Sequence, residues 1–241
     1  MILVILASGM GRRMGKKKPK CLINFKKRTL LDYILDSSKS FKKIIIVSGY
    51  KSNQVRKEIA KKNLKNIFII KNENYRNTNM VASFFKSYKY LNDDVIISYS
   101  DIIYNKKIID RCLKYQKNHL PLKMNWIKIW KKRMKLKEIY EDAENIKIKK
   151  SLITEIGTKI RNEKLPKYQF MGLARFQKKS ISKIFKFYKK IKNPEIDFTN
   201  FLNSLIKNNI IKLGFIKTNL FWFEIDTVED LKILKKNGKK F

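Results

Sequence analysis

Histidine, cysteine, proline and glycine are all scarce: the chain of 241 residues has one His, two Cys, four Pro and eight Gly. Two cysteines, Cys21 and Cys112, cannot form a disulfide scaffold, and with only His119 beside them no common zinc site is available. With so little Gly and Pro and 44% hydrophobic residues, collagenous, low-complexity and generally disordered chains are excluded. The opening run MILVILASG has no basic residues before it, and no later apolar run approaches the ~20 residues that span a bilayer. A cytoplasmic protein without a membrane span is the expectation.

Acidic residues are also few, 20 against 57 Lys and Arg, for a formal charge of +37. Such a balance suits a polyanion, because basic side chains on phosphates release counterions. However, 48 of the 57 are Lys, Ala occurs only 5 times and Asn 21 times, as in a compositionally biased, lysine-rich surface. The lysines form no long basic tail, only short clusters such as Lys16-Lys17-Lys18, Lys131-Lys132 and Lys149-Lys150. No nucleic-acid partner is expected, and the charge would steer a small anionic substrate.

What is present is an alternation of apolar strands and amphipathic helices. Residues 1–7 and Lys43–Ser48 read as strands buried on both faces, Asn66–Lys71 and Val95–Ser100 as further strands. Helical spacing covers Thr29–Ser37, Gln54–Lys62 and Asn79–Leu91. The order predicts βαβ units and an α/β fold: a Rossmann-like, mostly parallel sheet flanked by helices. After a helix around 106–117, strands are expected at Leu122–Trp130, Ile146–Ile148, Leu152–Ile156 and Tyr168–Phe176. Helices at Lys179–Lys190 and Phe198–Lys207, strands at Ile210–Ile216 and Phe221–Ile225, and a helix opened by Thr227 and Asp230 complete the reading. No linker divides the chain. It reads as one domain, 1–241, with a nucleotide-binding half at 1–105 and an acceptor-binding half at 106–241 carrying an inserted β-rich lobe.

Two places can carry chemistry. Leu6-Ala7-Ser8-Gly9-Met10-Gly11-Arg12-Arg13-Met14-Gly15 follows the first strand, with Pro19-Lys20 beyond. A glycine-rich turn there lets backbone N–H groups approach phosphate, and Arg13 and Lys20 add charge. It lacks the Gly-Lys-Ser/Thr of a P-loop, and Met14 stands where a dinucleotide fingerprint needs glycine. The second place is Asp101 after Ser100, with Asp226 in Glu224-Ile225-Asp226-Thr227; both aspartates end predicted strands. Two hard oxygen ligands at strand ends can hold Mg²⁺ on nucleotide phosphates, or can be turn formers.

The loop resembles the Leu-Ala-x-Gly-x-Gly-x-Arg-Leu/Met … Pro-Lys signature of sugar-phosphate and alcohol-phosphate nucleotidyltransferases. Gly49-Tyr50, Asn74-Tyr75, Thr78-Asn79-Met80 with Ser83, Ser100-Asp101, Glu155-Ile156-Gly157-Thr158-Lys159, Met171-Gly172-Leu173 and Glu224-Ile225-Asp226-Thr227 follow in order. That order is similar to the cytidylyltransferases acting on phosphocholine and phosphonates. The resemblance implies CTP, Mg²⁺ and a small phosphorylated amino alcohol or aminophosphonate such as phosphocholine or 2-aminoethylphosphonate. It implies that Leu6, Ala7, Ser8, Gly9, Gly11, Arg13, Lys20, Asn79, Ser83 and Ser100 form the nucleotide site. Lys20, Arg13 and Lys159 would be catalytic, and Asp101 and Asp226 would hold the metal. Asp101, Glu155, Lys159, Trp126, Asp197 and Trp222 would meet the acceptor. Ser8, where that family usually has Ala, is a mild departure, and the Lys16-Lys17-Lys18 insert a larger one.

For an ammonium group on the acceptor, Trp126, Trp130, Trp222 and Tyr50 could offer ring faces, and Glu138, Glu141, Asp142 and Glu144 opposite charge. The same residues read equally as core tryptophans and a solvated acidic turn. Asp197 reads as an acceptor contact or a helix cap, and His119 as an exposed loop residue. Two rival functions remain: transfer of a nucleotide from UTP, dTTP or GTP to a sugar 1-phosphate, and a polyanion-binding module.

Overall fold

The computed structural model describes residues 1–15, 18–160 and 164–237. Lys16 and Lys17 of the lysine insert lie outside the described residues. In chain order the elements are β1 (Ile2–Ala7), the two-residue strands β2 (Asn24–Phe25) and β3 (Arg28–Thr29), α1 (Leu30–Asp36), β4 (Lys43–Ser48), α2 (Ser52–Ala60), β5 (Ile67–Lys71), α3 (Met80–Lys86), β6 (Val95–Tyr99) and β7 (Ile102–Tyr104). There follow α4 (Lys106–Lys114), β8 (His119–Lys123), α5 (Trp126–Trp130), α6 (Leu136–Asp142), β9 (Glu144–Lys149), β10 (Leu152–Lys159), β11 (Gln169–Phe170) and β12 (Leu173–Phe176). The chain ends through α7 (Lys178–Tyr188), α8 (Phe198–Lys207), β13 (Gly214–Thr218), β14 (Trp222–Glu224) and α9 (Val228–Asn237).

The main sheet runs β5-β4-β1-β6-β12-β8-β13-β10-β9, with β11 paired to β8. It is parallel through β5, β4, β1 and β6 and turns antiparallel at β12. β1 is apolar throughout because it is buried on both faces. Ile2, Val4 and Leu6 join one core with α3, α7 and α8 residues such as Phe84, Ile181 and Phe201, while Leu3, Ile5 and Ala7 join the other with Leu31, Val55 and Ile108 from α1, α2 and α4. Helices therefore flank the sheet on both sides, as the sequence predicts.

From β1 the chain moves outward to β4 and β5, then returns to β6 on the other side of β1. That reversal opens a crevice beyond the carboxyl ends of β1 and β6, where ligands of open α/β sheets gather. The short antiparallel pair β7–β14 matches Ile102 with Glu224, and the Ile225 amide donates to the Asp101 carbonyl at 2.9 Å. Two segments more than a hundred residues apart are thereby held at the mouth of that crevice.

The second half departs from expectation in several places, among them the single strand expected at Tyr168–Phe176, which Gly172, φ 72°, divides into β11 and β12. The strand expected at Leu122–Trp130 is β8, which starts earlier at His119, and then α5; the break falls at Asn125, whose φ is 52°. The acidic stretch at 138–142 is helical, within α6. His119 is a fully buried strand residue, not an exposed loop residue. Its Nδ1 lies 2.7 Å from the Lys117 carbonyl and its ring stacks edge-on against Tyr115.

Candidate active site

The glycine-rich loop leaves β1 at the crevice. Gly11 sits in the left-handed region, φ 58°, which turns the chain into the single turn Arg12–Met14 and back beside Lys20. Lys20 follows Pro19 in another short turn and points at the two strand ends: its Nζ donates to Asp101 Oδ2 at 2.7 Å and to Asp226 Oδ1 at 2.6 Å. Burial opposes the charge on Lys20, but the two carboxylates more than offset it and hold the ammonium well above the ordinary lysine range. Arg13 reaches the same Asp226 oxygen at 3.3 Å. Burial alone would raise the Asp226 pKa, yet Lys20, Arg13 and Arg133 together depress it. Glu224, next to this group, shifts the other way, raised by burial and by the charges of Asp226 and Asp101.

These residues line a cavity of about 330 Å³ with Gly9, Gly11, Arg12, Met80, Tyr99 and Asp142. A second cavity of about 350 Å³ adjoins it, sharing Arg13, Asp142 and Asp226 and closed by Arg133, Met134, Glu138, Glu141, Thr227 and Asp230. Seven of the chain's 20 acidic residues line the two cavities. In a strongly cationic molecule these carboxylates gather at one place, where Arg12, Arg13, Lys20 and Arg133 also line the cavities. Among the described residues no three His, Cys, Asp or Glu side chains converge as a metal site. The buried Asp101 Oδ1 has no hydrogen-bond partner, so one hard oxygen remains free beside Lys20.

The expected site residues divide into three groups. Gly9, Gly11, Arg13, Lys20, Asp101 and Asp226 come together at the cleft, and Ser100 is buried beside Asp101. Leu6, Ala7, Ser8, Asn79 and Ser83 stand behind it: Leu6 and Ala7 pack into the core and the Ser8 hydroxyl donates to the Val47 carbonyl. The Ser83 hydroxyl accepts from Asn72 Nδ2 at 3.0 Å, and Asn79 caps α3 and donates to the Glu195 carbonyl.

The third group has other partners in the structure, and for its two tryptophans burial corrects the acceptor contact expected of them. Trp126 and Trp222 are 0% and 1% exposed, with indole N–H groups donating to the Pro166 and Met171 carbonyls, so neither offers a ring face to a ligand. Asp197 caps α8 through the Asn200 amide at 2.7 Å. Glu155 pairs with Lys147, Lys207 and the Thr158 hydroxyl on the β9–β10 hairpin. Lys159 ends that hairpin opposite Glu144 and lines neither cavity.

Sequence reasoning missed Tyr99 and Arg133. Tyr99 is the last residue of β6, and its hydroxyl pKa is raised by burial and by the nearby Glu144, Asp101, Glu224 and Asp197. Its position immediately before Ser100-Asp101 was a usable signal; Arg133, in an unpatterned basic stretch, offered none.

The site is thus a glycine-rich loop at the switch point of an α/β sheet, with a lysine bridged between two aspartates. In comparison with known proteins, residues 3–121 match the MobA-like NTP transferase domain. Over 95% of its length the chain is 31% identical to the CTP:phosphoglutamine cytidylyltransferase of Campylobacter jejuni, covering 97% of that protein. The chain belongs to the nucleotidyltransferase family. Two solved structures share the fold: the inositol-1-phosphate CTP transferase of T. maritima (TM-score 0.77, 16% identity, 99% and 96% of the two chains) and the CTP:phosphocholine cytidylyltransferase of Streptococcus pneumoniae (0.73, 18%, 99% of each).

Proposed function

We propose that this protein transfers a cytidylyl group from CTP to a small acceptor bearing both a phosphate or phosphonate and an ammonium group, releasing pyrophosphate. The observation that carries the reading is the Lys20 clamp on Asp101 and Asp226, which opens directly onto the carboxylate-lined second cavity. The 31% identical relative is by name a CTP-dependent enzyme with a phosphorylated amino-acid amide as acceptor, which supports both the nucleotide and the ammonium.

The chemistry needs no general base. The acceptor's phosphate or phosphonate oxygen is already anionic, attacks the α-phosphorus in line, and the bond to the β-phosphate oxygen breaks with its electron pair leaving on pyrophosphate. The protein's task is to align two anions and neutralise the charge they build up. The Gly9–Gly11 turn would take the triphosphate through backbone N–H groups, with Arg12 and Arg13 at its outer edge. Lys20 would swing a donor onto an α-phosphate oxygen while the aspartates keep it charged. Asp101 and Asp226 would hold Mg²⁺, whose preference for one or two carboxylates plus phosphate oxygens their free and lysine-bound oxygens fit, and which would supply further positive charge to the phosphates. In the second cavity Glu138, Glu141 and Asp142 would pair with the ammonium; the carboxylates take the part that the buried tryptophans cannot.

Pyrophosphate release tests this with CTP, UTP, dTTP and GTP, each offered phosphoglutamine, phosphocholine, 2-aminoethylphosphonate, glycerol phosphate and glucose 1-phosphate. Turnover is expected with CTP and an ammonium-bearing acceptor. Turnover confined to glucose 1-phosphate with another nucleotide would replace the reading by the sugar-phosphate one.

A further inference from the structure

We propose that Arg133 is a positioning residue that ties the α5–α6 cap to the carboxylates of the transfer site, so that it governs acceptor use and leaves CTP binding to the glycine-rich loop. The inference rests on the reading above, in which the second cavity takes the acceptor.

Arg133 lies one turn beyond α5, its amide donating to the Trp130 carbonyl at 2.8 Å. Its side chain is 1% exposed, with the guanidinium 5.9 Å from the Trp130 ring and 5.5 Å from that of Phe223. Nε donates to Asp230 Oδ1 at 2.8 Å, and Nη2 lies 3.2 Å from both Asp230 Oδ2 and Asp226 Oδ2. Nη1 approaches Glu224 Oε2 at 3.5 Å and has no hydrogen-bond partner of its own. Asp230 is fixed in turn, because its Oδ2 also accepts from the Asp226 and Thr227 amides.

The consequence lies at Asp226. One of its oxygens faces the nucleotide side, held by Lys20 and Arg13, and the other faces the cap, held by Arg133. Among the described residues of α5, α6 and the turn between them, Arg133 alone forms an ion pair with β14 or the start of α9. Glu224, Asp226 and Asp230 would repel one another in so buried a place without a cation between them. A planar guanidinium can bridge three carboxylates in this way, and a lysine ammonium, a point charge on a flexible stem, can hold one or two. The cap itself has a small core, Trp126, Trp130, Ile139 and Ala143, so it is a packed unit that needs fixing at its site-facing edge.

The test compares wild-type protein with Arg133→Gln and Arg133→Lys by acceptor KM, kcat and the calorimetric Kd for CTP. In Arg133→Gln the acceptor KM should rise about tenfold or more with a fall in kcat, the CTP Kd staying within about twofold, and Arg133→Lys should recover part of the loss. Unchanged acceptor kinetics, or a CTP affinity that falls in parallel, would overturn the proposal. If Arg133→Gln does not fold, Arg133→Lys decides on the same readouts. A wild-type protein without turnover on any pair would refute the functional reading instead. Hydrogen exchange then judges the tie separately: faster exchange across 126–142 in the folded variant upholds it, and unchanged exchange overturns it.

Discussion

His119 shows how far burial governs a single side chain. It is the only histidine, so its resonances need no assignment. Burial, with Arg175 nearby, lowers its pKa to about 4 despite the Lys117 carbonyl at Nδ1. A depressed folded pKa contributes stability that is complete above the unfolded value of about 6.5 and is lost as pH falls towards about 4, because the unfolded chain takes the proton first. The C2 proton should therefore not shift between pH 7 and 5.5 in NMR spectra; a midpoint near 6.5 would show an accessible ring. The residue was misread because Asn118-His119 beside Pro121 looks like a loop, and a lone polar residue carries no periodicity to reveal a strand. Lys20, Asp101 and Asp226 were legible for the opposite reason: each sits at a fixed offset from an apolar strand. Arg133 was illegible because its partners lie about ninety residues away or more, and no local pattern encodes such a distance.

Among the elements, β6 and its neighbour β12 place Tyr99 at the floor of the cleft. Gly172, just before β12, has φ 72°, and a Cβ there would lie 2.9 Å from the Tyr99 ring. Gly172→Ala combines left-handed strain with a displaced ring, so it should lower stability by about 1–3 kcal/mol and reduce turnover in the protein that remains folded. Thermal denaturation checks the first part, and an unchanged melting temperature would contradict it. The parallel half was readable from sequence because its strands are continuous apolar runs between amphipathic helices. The α5 segment was not: Trp126-Ile127-Lys128-Ile129-Trp130 can be taken as a strand by its β-branched residues, yet Trp126 and Trp130 four apart pack on one helical face, edge to face at 4.9 Å. Thr227 and Asp230 were read correctly as a cap, since both reciprocal bonds form, Asp230 amide to Thr227 Oγ1 and Thr227 amide to Asp230 Oδ2.

At the scale of the molecule, a surface of high positive charge surrounds a site holding seven carboxylates. The outer field would draw in CTP and a phosphorylated acceptor, and the inner one would favour a cation bound with them. Raising salt from about 0.05 to 0.5 M should then lower kcat/KM for both anionic substrates severalfold with little change in kcat. Salt-independent kcat/KM would remove steering from the account. The bridged lysine is the charge on which the proposed transfer depends, and Lys20→Met removes it. With saturating CTP and acceptor, and a circular dichroism spectrum matching the wild type, kcat should fall by about 10²–10³-fold, the usual cost of removing one such donor. A folded Lys20→Met protein turning over within about threefold of wild type would contradict that dependence.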